Sequence, residues 1–210
     1  MLHIGIGIRY TGRMEIIKQG DWWYIKNVFH QSEAHSLQAK IRGTVIPNCA
    51  KGKRDQAARR TFVTQDSFHK YLFYSIDKEL RDYFKDYIKS SDRMRIELCC
   101  DSVGMWIDPH YDIPEKSFTM QIYLGWDNIG TTLHLEEDVD VPWIGNCGYA
   151  IVRDVPVLHS LKRLGRNRHS VLINYVLVRL LPARINHIIV INSGFIVVKP
   201  ASRLFHQSSN

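Results

Sequence analysis

His110 and Asp112 stand two apart in the run Asp108-Pro109-His110-Tyr111-Asp112. In an extended chain, side chains two apart share a face, so an imidazole and a carboxylate can meet one metal ion there. A third ligand has to come from elsewhere. His159, 47 residues beyond Asp112, is far enough along for intervening strands to fold back and deliver it. Two imidazoles and one carboxylate on one side of a divalent ion leave its other side open, an arrangement suited to non-haem Fe(II) chemistry. A second His-x-carboxylate pair, His134-Leu135-Glu136, begins only 25 residues before His159 and reads as rim or surface.

Nine residues after His159, Arg168 opens a β-branched run from Val171 to Val178, with Ser170 on the same strand face. A guanidinium with a neighbouring hydroxyl can hold a carboxylate in a fixed geometry. Upstream, Met120-Gln121-Ile122-Tyr123-Leu124 forms a strand followed by Trp126-Asp127. Over roughly residues 93–178, this order of His-x-Asp, distal His and Arg-x-Ser resembles the Fe(II)/2-oxoglutarate-dependent dioxygenase superfamily. The Ile122-Tyr123-Leu124 strand resembles that of its prolyl 4-hydroxylase-like branch. The resemblance implies that His110, Asp112 and His159 ligate Fe(II), and that 2-oxoglutarate and O2 are the cosubstrates. It places the distal carboxylate of 2-oxoglutarate on Arg168, helped by Ser170 and the hydroxyl of Tyr123. It also implies hydroxylation of an unactivated C–H bond in a prolyl, amino-acid-type or protein substrate, with release of succinate and CO2. By parity Tyr111 and His169 point away from these groups, while Asn174 shares the face of Arg168 and Ser170.

The surrounding elements have to position this set. Leu2 to Tyr10 alternates apolar and polar residues as a half-buried strand does. Gly5 and Gly7 are not followed by the helix-opening glycine that a dinucleotide site needs. Glu15 to Phe29 reads as strand and turn with Trp22, Trp23 and Tyr24 in the packing, Gln31 to Ala39 as a short helix, and Arg42 to Pro47 as extended. The polar, basic stretch Lys51 to Arg60 reads as a loop that could cover a pocket. Phe68, Leu72, Ile76, Leu80, Phe84 and Ile88 recur every four residues, which predicts an amphipathic helix over Ser67 to Lys89. Short strands follow at Arg93–Cys100, Phe118–Leu124, Thr131–Leu135 and Gly148–Val152, with Glu136 to Asp140 as a solvated acidic loop. Many short strands behind one helical region predict a mainly β (α+β) fold, a double-stranded β-helix or jelly-roll barrel with helices packed from the N-terminal half. The reading divides the chain into a domain at 1–180, with an N-terminal strand and helix segment at 1–92 and a metal-binding core at 93–180, and a C-terminal hairpin and tail at 181–210.

The net charge of +7 on 210 residues comes largely from two clusters, Lys51 to Arg60 and Lys162 to Arg168. Without aromatic alternation beside them they read as solvated basic faces rather than a nucleic-acid surface. Cys49, Cys99, Cys100 and Cys147 show no Cys-x-x-Cys spacing, which argues against a zinc knuckle or a dithiol redox site. With no signal peptide and no apolar stretch long enough to cross a bilayer, the expected location is cytoplasmic. The C-terminal hairpin could join a partner chain. Two other classes fit some of the pattern. One is a jelly-roll binding module without catalysis. The other is a cupin-type metal enzyme that does not use 2-oxoglutarate, although the His-x-His context usual for cupins is absent.

Overall fold

The computed structural model describes residues 14–43, 59–62, 67–125, 130–177, 187–192 and 195–200. In chain order the elements are β1 (Glu15–Gln19), β2 (Trp22–Lys26), α1 (Gln31–Gly43), β3 (Arg59–Phe62), α2 (Ser67–Tyr83), β4 (Arg93–Asp101), β5 (Ile107–His110) and β6 (Lys116–Leu124). They continue with β7 (Thr131–His134), β8 (Asp138–Asp140), β9 (Cys147–Val152), β10 (Leu158–Leu161), β11 (Arg168–Val176), β12 (His187–Asn192) and β13 (Phe195–Pro200). Contacts divide the chain after Leu177. The second unit contains the antiparallel hairpin β12–β13, in register from His187↔Pro200 to Asn192↔Phe195.

The first unit is built on a seven-stranded antiparallel sheet in the order β1-β2-β9-β6-β11-β4-β3, and a four-stranded sheet in the order β5-β10-β7-β8. The fold is mainly β with two helices, as the sequence predicts, but the sheets are not closed into a barrel: they form two separate hydrogen-bonded layers.

Strand parity explains why the large sheet is buried on both faces. From β6 and β11, Phe118, Met120, Ile122, Val171, Ile173 and Tyr175 face the helices. There they join Leu37 and Ile41 of α1 and Leu72, Phe73, Ile76 and Leu80 of α2 in one apolar cluster. A second cluster holds Tyr123, Leu133, Val141, Trp143, Tyr149, Ile151, Val157 and Leu161. It draws on strands of both sheets and therefore lies between them. The alternate positions of β6 and β11 include Thr119, Gln121, Arg168, Ser170 and Asn174, all buried and all polar. Polar groups are buried at a penalty unless they find partners, so this face marks where the fold carries more than packing.

Several boundaries differ from the sequence reading. α1 runs four residues past Ala39 and absorbs Arg42 and Gly43, which were expected to be extended. At its start the backbone N–H of His30 donates to Glu33 Oε2 at 2.7 Å, half of a capping box. α2 ends at Tyr83, six residues short of the expected Lys89. The chain then continues in turns that still bury Phe84 and Ile88. Arg59 and Arg60 belong to β3, paired with β4, rather than to a loop. Asp138–Asp140 forms the short strand β8 because His134 and Leu133 on β7 offer it a partner edge. The Leu2–Tyr10 strand, the remainder of the 51–60 loop and Trp126-Asp127 lie outside the described residues.

Gly148 sits opposite Ile122 in the β6–β9 pairing. A Cβ there would run into the backbone carbonyl of Gln121, so only glycine lets the two strands approach this closely. Gly148→Ala is therefore expected to lower unfolding stability by about 1–3 kcal/mol, as overpacking does, measured by urea denaturation.

Candidate active site

β5 and β10 pair antiparallel with His110 directly opposite His159, and the two ring centroids are 4.4 Å apart. Each ring is oriented in the same way. His110 Nδ1 lies 2.9 Å from the carbonyl of Asp108, and His159 Nδ1 lies 2.9 Å from that of Val157. A carbonyl can only accept, so Nδ1 carries the proton and Nε2 of each neutral ring keeps a lone pair, the form in which imidazole binds a metal. Burial pushes the His159 pKa down, only partly offset by the Val157 carbonyl and by Asp112, which favours the neutral ring.

Asp112 lies two residues beyond the end of β5 rather than within it. Lys116 Nζ donates to its Oδ1 at 2.6 Å and Thr119 Oγ1 to its Oδ2 at 2.7 Å. Burial alone would raise its pKa, but the Lys116 ammonium, with these hydrogen bonds and the nearby His159, holds it below the ordinary carboxylate value. Thr119 Oγ1 is also 2.9 Å from the side-chain amide of Asn174. The structure sets Asn174 Oδ1 against this hydroxyl, and since its single proton goes to the carboxylate, the amide has to turn over to offer its NH2. Asn174, named from parity alone in the sequence, thus supports the carboxylate through Thr119.

Arg168 opens β11 opposite Asp101 at the end of β4. Both are buried, with side chains 1% and 0% exposed. Nε and Nη2 each donate to Asp101 Oδ2 at 2.8 Å, while Nη1 is buried without a partner. The guanidinium carbon lies 5.7 Å from the Tyr123 ring centroid and 5.5 Å from that of Trp143, and these two rings stack at 5.2 Å.

One pocket brings His110, Asp112, His159 and Arg168 together, with Lys116, Thr119, Gln121, Thr131 and Tyr149 among its other walls. Tyr123 and Ser170 do not line it. The Tyr123 hydroxyl donates to Thr131 Oγ1 at 3.0 Å and accepts from the Thr131 N–H at 2.9 Å. Gln121 Nε2 donates to Ser170 Oγ at 3.0 Å. Both residues therefore bond to pocket walls rather than forming them. His134 has both ring nitrogens engaged, with Asp138 at 2.9 Å and Ser160 at 2.8 Å, and Asp140 pairs with Lys162 at 2.6 Å.

The donor set fits a divalent metal in type: two imidazoles that line one pocket and have Nδ1 held by backbone carbonyls, and one carboxylate. In their present positions no three His, Cys, Asp or Glu side chains among the described residues converge on one point. Asp112 accepts one hydrogen bond on each oxygen, from Lys116 and from Thr119, which leaves a further lone pair on each. Sequence reasoning did not single out Lys116, Thr119, Gln121, Thr131 or Asp101. Thr119 and Gln121 carried a signal, as polar residues on the Tyr123 face of an otherwise apolar strand. Asp101 carried none, since only strand register places it against Arg168.

No protein-family model and no curated protein sequence matches the chain. Among solved structures, it is similar to a Pseudomonas putida prolyl-4-hydroxylase at 12% identity, over 76% of this chain and 94% of that one, with a TM-score of 0.58. It is also similar to the viral collagen prolyl hydroxylase of Paramecium Bursaria Chlorella virus-1, solved as a 2-oxoglutarate complex, at 13% identity over 76% and 97% of the two chains, TM-score 0.56. A third is a Trichoplax adhaerens prolyl hydroxylase in complex with a hypoxia-inducible-factor peptide, at 14% identity over 74% and 83%, TM-score 0.55. The likeness establishes the fold.

The burial of two histidines sets a pH dependence. In the unfolded chain His159 and His169 titrate near 6.5, and burial lowers both in the folded protein. Below 6.5 the unfolded state therefore binds more protons, and stability is lost as pH falls toward the folded values. Urea titrations of the metal-free protein at pH 7.5 and 5.5 should show this loss. It should be smaller in the variant carrying both His159→Gln and His169→Gln.

Proposed function

We propose that the chain is an Fe(II)- and 2-oxoglutarate-dependent dioxygenase that hydroxylates a C–H bond of a prolyl, amino-acid-type or protein substrate. The observation that carries this reading is the content of one pocket: two imidazoles with Nδ1 held by backbone carbonyls, a carboxylate, and an arginine with one buried nitrogen lacking a partner. The fold it shares with prolyl hydroxylases, one holding 2-oxoglutarate and one a peptide, supports both the cosubstrate and the substrate class.

His110, Asp112 and His159 would hold the ion, with Asp112 using a lone pair that Lys116 and Thr119 leave open. Val157 and Asp108 fix the two rings through their Nδ1 protons, so each Nε2 is aimed before the metal arrives. With 2-oxoglutarate and O2, the bound iron supplies the oxidising power for hydroxylation, giving succinate and CO2. Arg168 Nη1 meets the distal carboxylate of the cosubstrate. Tyr123 and Ser170 act on it through Thr131 and Gln121, which they hold in place. Ile107, Leu161 and Leu172 on the pocket wall restrict water around the reacting groups.

The Lys116–Asp112 ion pair favours a second reading, a binding module on the same fold in which Lys116 permanently occupies the carboxylate. Addition of Fe(II) and 2-oxoglutarate without oxygen separates the two. The oxygenase is expected to develop a visible metal-to-ligand charge-transfer band that His159→Ala abolishes, and Arg168→Ala should raise the 2-oxoglutarate concentration needed by about tenfold. Folded protein that binds no iron and gives no band would support the binding module instead.

A further inference from the structure

A carboxylate bound by arginine is held most tightly by two parallel N–H bonds from one edge of the guanidinium. In this chain the Nε–Nη2 edge of Arg168 is already occupied, both nitrogens donating to Asp101 Oδ2 at 2.8 Å. Neither group reaches solvent, so the attraction between them is little screened. Nη1 is the nitrogen left over, and Arg168 contributes to the wall of the pocket that also holds His110, Asp112 and His159. An anion arriving there meets a guanidinium whose Nε–Nη2 edge is taken, so that only its Nη1–Nη2 end is left to donate. It also meets the Asp101 carboxylate, a like charge on the far edge of the same guanidinium. The pocket's other polar walls include the neutral groups of Gln121, Thr131 and Tyr149, and Lys116, whose ammonium is paired with Asp112.

We propose that Asp101 is a positioning residue that weakens the grip of Arg168 on a distal carboxylate, so that the pocket discriminates poorly between dicarboxylic and monocarboxylic 2-oxo acids. This rests on the reading of the pocket as a 2-oxo-acid site. Asp101 fixes the orientation of the Arg168 guanidinium and at the same time balances the charge that would otherwise attract the cosubstrate. Cosubstrate binding then depends mainly on the 2-oxo-acid head at the metal, with a weakened contact at the other end.

The test compares 2-oxoglutarate with 2-oxobutyrate, which has the same head and no distal carboxylate, by calorimetry on Mn(II)-loaded protein without oxygen. Asp101→Asn keeps the shape and an acceptor oxygen for the guanidinium but removes the charge. It is expected to bind 2-oxoglutarate about tenfold or more tighter than the parent, with 2-oxobutyrate unchanged. A purely structural role for Asp101 would not change one acid selectively. Unchanged or weaker 2-oxoglutarate binding in the folded variant, or equal tightening of both acids, overturns the proposal. If the variant does not fold, the parent protein decides: a preference for 2-oxoglutarate below about thirtyfold supports it, and a larger one overturns it. If parent and variant bind neither acid, the 2-oxo-acid reading itself fails and this proposal with it. If the parent binds 2-oxoglutarate and Asp101→Asn does not tighten it, only this proposal fails.

Discussion

A guanidinium with 1% of its side chain exposed is the constraint around which the inner face of this fold is arranged. Removing such a charge from water is unfavourable by several kcal/mol unless a counter-charge and hydrogen bonds compensate. Asp101 supplies the counter-charge, and the antiparallel register of β4 and β11 places it directly opposite Arg168. Tyr123 and Trp143 supply polarisable ring faces within 6 Å. A shift of one residue in that register would turn Arg168 toward the apolar layer against the helices, where none of these partners exists. The ion pair therefore specifies the alignment of two central strands, a role separate from any net contribution to stability.

The polar line continues along the same face. Ser170 with Gln121 and Asn174 with Thr119 satisfy one another across β11 and β6, Gln121 also bonds Thr131, and Thr119 passes the chain on to Asp112. Two hydrogen-bonded groups therefore occupy this face, one around Gln121 that reaches across to Thr131 of the other sheet, and one that runs from Asn174 through Thr119 to Asp112. The two histidines come from the other sheet, where β5 and β10 set them face to face. The pocket exists because two layers meet, one contributing a rigid polar network and the other a pair of imidazoles.

Much of this was legible in the chain itself. His110, Asp112, His159 and Arg168 stand out by type and spacing, and the structure gathers all four around one pocket. Strands β4, β6, β7, β9 and β11 follow from alternation and β-branched runs, and α2 from its four-residue apolar spacing, because these are local patterns, whereas the short strands β8 and β10 form on a partner edge that local pattern does not show. Ends were harder to read. α1 extends through Arg42 and Gly43, and α2 stops at Tyr83, because helix termini depend on what the last turn packs against.

What the sequence determined by itself was the inventory of reactive groups and the face of the strand each occupies, since parity and periodicity are properties of neighbouring residues. Tertiary structure decided the partners. Asp101 meets Arg168 across 67 positions of chain, Asn174 meets Thr119 across 55, and Tyr123 and Ser170 turn to Thr131 and Gln121 rather than to the pocket. Such pairings are fixed by strand order and register, which arise from the burial of whole faces and leave no trace in local spacing.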